Sequence, residues 1–293
     1  MTGKRRWPAV LALFAAAALV MLPTSRGVDS PRTEPLAAAV EEAEPLPAAA
    51  EPEEELPAEE SLPPEPPKPP EPAQPVPQTP VVADTYFDNA VFFGDSRTDG
   101  FRLYSGLDRG SYYFATGATV ESVFTKEVET VEGKMPLLDA LALMDPAPER
   151  IFVMLGVNEL GWAKSENFHD YYVALIERLR QDHPEADILV QSILPVSKLQ
   201  EEKKTYVNNT RIARYNEIIR QVCGETDTPL LDVAGAVADE EGFLRSDWTY
   251  DGVHLNKKGC AAWLDYLRTH AVNYEVYAEE SVEAPTSMTD ETI

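Results

Sequence analysis

Cysteine is nearly absent from this chain: two residues, Cys223 and Cys260, among 293. No Cys-x-x-Cys pair and no His-Glu-x-x-His occurs, so the spacings that build zinc sites are missing. A structural or catalytic zinc site is therefore not expected. In an exported domain Cys223 and Cys260 could pair as a disulfide. Both also fall on amphipathic helical patterns, where a free cysteine is ordinary core. Positive charge is scarce as well. The chain has 25 Lys and Arg against 50 Asp and Glu, a formal net charge of -25. Apart from the extreme N-terminus no Lys/Arg cluster stands out against this excess of acid, so no nucleic-acid partner is expected, because phosphate contacts need clustered bases. Histidine is limited to four residues, and no internal repeat is visible.

What is present is unevenly spread. Lys4, Arg5 and Arg6 precede an apolar run from Trp7 to Leu22, the pattern of an export signal. No small-x-small cleavage site follows directly, and no Cys that could carry a lipid. Residues 1–26 are expected to be an uncleaved signal-anchor with its basic end cytoplasmic, a cleaved signal peptide being the alternative. Seventeen of the 25 prolines lie between Pro23 and Pro80. Residues 27–84 hold 14 acidic and 2 basic residues, so close to half the net charge sits there. Such a segment cannot bury enough apolar surface to offset its ordering entropy. It reads as a disordered stalk, up to roughly 170 Å long at about 3.1 Å per residue. An acidic tail is expected over 274–293.

Between 85 and 273 short apolar runs alternate with helical patterns. Strands are expected at Ala90–Gly94, Tyr112–Thr116, Arg150–Leu155, Ile188–Ser192 and Leu230–Val233, as continuous apolar runs buried on both faces. Helices are expected at Phe168–Gln181, Thr210–Cys223 and Asn256–Ala271. This order implies an α/β domain whose five-stranded, mostly parallel sheet carries helices on both sides.

Chemistry concentrates at the carboxyl ends of these strands. The first runs through Phe93-Gly94 into Asp95-Ser96, where an open α/β sheet places reactive groups. A serine hydroxyl there needs a base, although Asp95 or Ser96 could simply cap a helix. His169 and His183 fall on or at the end of an exposed helix, and His270 in the last helical turn. His254 remains, in a loop three residues after Asp251. At that spacing the carboxylate could hold one ring nitrogen and free the other for a serine proton; a turn Asp beside a loop His is the alternative. Gly117, after the second strand, could offer a backbone N–H to an oxyanion, and Asn158, after the third, its side-chain amide. Both residue types are also common in turns.

Taken in order, Phe93-Gly94-Asp95-Ser96, Gly117, Gly156-Val157-Asn158 and Asp251-x-x-His254 resemble the four blocks of the SGNH/GDSL hydrolase family, over about residues 88–270. The resemblance implies a flavodoxin-like α/β/α sandwich and ester hydrolysis. It implies Ser96 as nucleophile, His254 as base and Asp251 as its orienter. The oxyanion donors would be the Ser96 and Gly117 amides and the Asn158 side chain. Two positions depart from the pattern: Arg97 replaces the usual Leu, and Glu159 the usual Asp. Arg97 could meet an anionic substrate or pair with a domain acid such as Glu159. Trp162 and Trp248 flank the Asn and His blocks and could line the mouth of the site or pack in the core, as could Phe101 and Tyr104.

The expectation is a membrane-tethered or secreted extracytoplasmic serine esterase acting on acyl esters, O-acetyl groups of cell-envelope carbohydrate above all, through a covalent acyl-enzyme that needs no cofactor or metal. The rivals are an O-acyltransferase using the same triad and a non-catalytic envelope-binding protein on this fold.

Overall fold

The computed structural model describes residues 70–275 and 277. The expected signal-anchor, most of the stalk and most of the acidic tail lie outside the described residues. In chain order the elements are β1 (Ala90–Gly94), α1 (Ser96–Tyr104), β2 (Ser111–Phe114), β3 (Glu127–Thr130), β4 (Gly133–Pro136), α2 (Leu137–Ala142) and β5 (Arg150–Met154). There follow α3 (Glu166–Asp182), β6 (Asp187–Gln191), α4 (Lys198–Glu201), α5 (Asn209–Glu225), β7 (Leu230–Leu231), α6 (Val233–Val237) and α7 (Lys257–Thr269).

The main sheet has the order β2-β1-β5-β6-β7, with every pair parallel. Renumbered within the sheet this is 2-1-3-4-5, the flavodoxin-like order. Side-chain alternation divides the core in two. Val91, Phe93, Ile151, Val153, Ile188 and Val190 face one way and pack against α2, α3 and α5. Phe92, Phe152, Met154 and Leu189 face the other way, against α1, α6 and α7. Because both faces are covered, the strands read as continuous apolar runs rather than alternating ones. Each helix supplies a stripe at helical spacing. On α3 it is Phe168, Tyr172, Leu175, Ile176 and Leu179; on α7 it is Cys260, Trp263, Leu264 and Leu267. Burial of one such side chain stabilises by about 1.5–3 kcal/mol. Cys223 belongs to the first layer and Cys260 to the second, and both are free.

Two boundaries differ from the sequence reading. The chain from Ala73 onward is not stalk but lies along the β7 edge. Pro75 bridges Leu230 in parallel, and the Val76 N–H donates to the Leu230 carbonyl at 2.8 Å. The Thr79 and Val82 amides then donate to the carbonyls of Thr269 and Arg268. Prolines suit this place because an edge segment needs a hydrogen bond only at alternate residues. At the other end Tyr277 belongs to the domain: its carbonyl accepts from Ala83 N–H, and the Arg150 guanidinium lies 4.8 Å from its ring centre. The antiparallel β3–β4 hairpin is an addition that the sequence reading does not contain.

Candidate active site

The strand order reverses between β1 and β5, and the loops leaving these two strands diverge to open a crevice. Ser96 and Asn158 stand on its two sides. Gly94 is required by space: a Cβ there would lie 2.3 Å from the Met154 carbonyl oxygen and 2.4 Å from Thr98 Oγ1. Asp95, not Ser96, caps α1, its Oδ1 accepting from the Arg97 N–H at 2.8 Å. The Ser96 hydroxyl is thereby left for other use.

Ser96 Oγ lies 2.9 Å from His254 Nε2, and His254 Nδ1 lies 2.7 Å from Asp251 Oδ2. Asp251 Oδ1 accepts from the backbone N–H groups of Val253 and His254, each at 2.8 Å. Partial burial opposes ionisation of Asp251, but the hydrogen bonds from His254 and Val253 prevail and hold the carboxyl down to about 2. An ionised carboxylate only accepts, so Nδ1 carries the ring proton and Nε2 is free to accept the Ser96 proton. The turn is pinned from outside by Thr249, whose hydroxyl donates to the His254 carbonyl and accepts from Gly252 N–H. Ser197 N–H donates to the Gly252 carbonyl. Gly252 itself has φ +92°, and a Cβ would lie 2.6 Å from Ser197 Oγ.

Gly117 is exposed in the turn after β2, and Lys126 Nζ donates to the neighbouring Thr116 carbonyl at 2.6 Å. Asn158 Nδ2 donates to the Ala118 carbonyl at 2.8 Å and to Asp95 Oδ2 at 3.1 Å. The amide thus ties together the loops after β1, β2 and β5. Both of its hydrogens are engaged, so a substrate oxygen has to share one of them. Sequence reasoning missed Asp95 and Lys126 as parts of this site. Asp95 was visible only as a cap, and Lys126 reaches the turn from the start of an unforeseen hairpin.

The two departures from the motif are both interior. Glu159 is fully buried, with Oε1 accepting from Val120 N–H at 2.7 Å. Burial pushes its carboxyl up to about 8, against the Val120 hydrogen bond and with the Asp95 charge adding to the rise. Burial likewise raises Asp95, with Arg97 opposing. Arg97 is 3% exposed and donates from Nη1 to the Leu194 carbonyl at 3.0 Å. Burial lowers it to about 10, while Asp95 and Asp251 oppose the fall, so it stays cationic at neutral pH. It neither pairs with Glu159 nor faces solvent. Trp162 and Trp248 are half-buried on opposite faces of the sheet. Trp248 packs on the α7 side under the Arg245 guanidinium, whereas Trp162 borders a cleft beside Arg211 and Arg214. Phe101 is core, against Trp263, and Tyr104 lies near Tyr250. Among the described residues no group of His, Cys, Asp or Glu is placed to hold a metal ion.

A search of curated proteins finds no match. Among solved structures, a protein from Streptococcus pneumonia described as a platelet activating factor superposes with a TM-score of 0.53 at 23% identity. The match covers 62% of this chain and 82% of that one, and it is a likeness of fold. A GDSL-like lipase from Bacteroides thetaiotaomicron aligns at 16% identity and a TM-score of 0.45, covering 64% of this chain and 86% of that one. An acetyl xylan esterase aligns at 18% and 0.46, covering 61% and 96%. The family model described as GDSL-like Lipase/Acylhydrolase matches residues 92–262, which run from β1 into α7 and hold Ser96, Gly117, Asn158, Asp251 and His254. The chain therefore belongs to the GDSL-like lipase/acylhydrolase family and is an ester hydrolase of the SGNH type.

Proposed function

We propose that this protein is an extracytoplasmic serine esterase that removes O-acetyl groups from cell-envelope carbohydrate, held at the membrane by its N-terminal segment. The observation that carries the catalytic part is the continuous hydrogen-bonded line Ser96–His254–Asp251. His254 Nε2 takes the Ser96 proton as Oγ attacks the ester carbonyl. The tetrahedral oxyanion is met by the amides of Ser96 and Gly117 and by Asn158 Nδ2. The imidazolium, steadied by Asp251, gives its proton to the departing sugar oxygen, leaving an acetyl-Ser96. Water, deprotonated by His254, then attacks the acetyl carbonyl and releases acetate and free Ser96. The basic-then-apolar start of the chain and the Pro-rich acidic stretch after it support export and tethering, and a tethered domain meets envelope polymer first. His254 and Asp251 side chains are 41% and 53% exposed, which favours water over a sugar hydroxyl as acceptor.

The test uses the full-length protein beside Ser96→Ala, with a fluorophosphonate probe, a small chromogenic acetyl ester and purified wall polymer. The reading expects labelling, ester turnover and acetate release that all disappear in the variant. Labelling without acetate release from polymer would reject the carbohydrate substrate. Absent labelling of folded protein would reject the esterase and favour the binding-protein rival, and acetylated glycan in place of acetate would favour the transferase.

A further inference from the structure

Residues 203–216 carry Lys203, Lys204, Arg211 and Arg214 and no acidic residue, in a chain with twice as many acids as bases. In the fold this stretch forms the turn after α4 and the start of α5, and its α5 part faces the loop that leaves the oxyanion residue Asn158. Between them lies a cleft of about 290 Å³, lined by Leu160, Gly161, Trp162, Ser165, Arg211 and Arg214. The two guanidiniums are held in place without being neutralised. Arg211 Nη1 donates to the Leu160 carbonyl, and Arg214 Nη2 donates to Ser165 Oγ at 2.7 Å. Neither forms an ion pair among the described residues, although the Glu166 charge lies near enough to the same wall to act on Tyr215. Arg211 also stands in the first turn of α5, where the helix dipole disfavours a cation; that turn has no acid of its own, and the Glu201 carboxylate that reaches it is engaged by Asn209 N–H at 2.7 Å. Lys204 borders a second depression, which shares Arg211 with the first.

Aromatic surface accompanies the charge. Trp162 is half-buried at the cleft, and the exposed Tyr206 ring lies against Gly161. An aromatic face accepts the apolar face of a sugar ring, and a guanidinium fork accepts a carboxylate. The cleft wall is also bolted to the reaction site: Tyr215 OH donates to the carbonyl of Glu159, the residue next to Asn158, at 2.8 Å.

We infer that this cleft is a subsite for a carboxylate-bearing sugar unit of the glycan substrate, with Arg211 and Arg214 taking the carboxylate and Trp162 the ring. The inference rests on the carbohydrate-esterase reading and narrows it to acidic polysaccharide. A polyol-phosphate chain would satisfy the arginines but offer Trp162 no ring.

The experiment compares O-acetylated oligogalacturonate with O-acetylated neutral galactose oligomers of equal length, using full-length protein and the Arg211→Gln/Arg214→Gln double variant. The wild type is expected to prefer the acidic oligomer by about tenfold in kcat/KM. That preference shrinks as salt rises from about 0.05 M to about 0.5 M. In the double variant the preference disappears through KM rather than kcat. Equal kcat/KM for the two oligomers in the wild type, or an equal loss on both in the variant, would overturn the subsite. Binding of non-acetylated oligogalacturonate, followed by tryptophan fluorescence, separates the two readings. Binding that is lost in the double variant, with no oligomer deacetylated, keeps the subsite and rejects the esterase substrate. No binding and no deacetylation reject both.

Discussion

Asn158 Nδ2 donates to Asp95 Oδ2 across 3.1 Å, joining the proposed oxyanion residue to the residue before the proposed nucleophile, Ser96. The same amide holds the Ala118 carbonyl, one residue beyond Gly117. One side chain therefore ties together the loops that carry the proposed oxyanion donors. Asn158→Ala is expected to lower kcat by about 10²–10³-fold, the usual result of losing one such donor. The loss should appear in kcat on a small acetyl ester with KM little changed. A drop below about threefold would remove Asn158 from the oxyanion site.

Asp251→Asn separates orientation from charge. The Asn oxygen can keep the two backbone hydrogen bonds from Val253 and His254, so the turn should fold. Its amide would then face His254 Nδ1 as a donor and force the proton onto Nε2. A kcat loss of about 10⁴-fold with an unchanged Tm is expected. Activity near wild type would mean that Ser96 and His254 work without the acid.

Gly252→Ala tests how tightly the His254 turn is held. The variant must tolerate φ +92° and a Cβ 2.6 Å from Ser197 Oγ. Strain of this kind costs about 1–3 kcal/mol. We expect a lower Tm and a reduced rate of fluorophosphonate labelling, because relief of the strain moves the loop that carries His254. Adding Ser197→Gly to the variant should recover part of both.

Glu159 makes stability depend on pH in a direction opposite to Asp251. An acid raised to about 8 in the folded chain binds its proton more tightly there than when unfolded. Between the unfolded value near about 4.3 and about 8 the folded form keeps the proton and the unfolded form loses it. Stability contributed by protonated Glu159 is full below that window and is lost as pH rises through it. The Tm of the wild type should therefore fall between acidic pH and pH 8, and Glu159→Gln should flatten the fall. An equal slope in both proteins would place the titration elsewhere.

The parallel sheet was legible, and so were the Asp251–His254 pair and the strand-end positions of Ser96, Gly117 and Asn158, because each depends on short-range pattern. A strand buried on both faces must be an apolar run, and the groups at its end must be small or polar. Asp251 and His254 are three residues apart, so one turn brings them together. The three expected helices are present with boundaries shifted by one or two residues, since their stripes repeat at helical spacing. What the sequence determined by itself was thus local: which segments are buried, and which chemistry stands at their ends.

Tertiary structure decided the rest. The segment from Ala73 to Ala83 reads as stalk, because its prolines hide any periodicity, yet it finds order by meeting a β7 edge with free carbonyls. No sequence pattern announces which distant edge will be open. Arg97 looks like a surface or substrate residue by its charge, and only the Leu194 carbonyl and the covering loops make it interior. Cys223 and Cys260 could have been read as a pair until the sheet came between them. In each case the outcome depends on which groups from remote parts of the chain arrive at the same place. That is set by the packing of whole layers, and no short window of residues contains it.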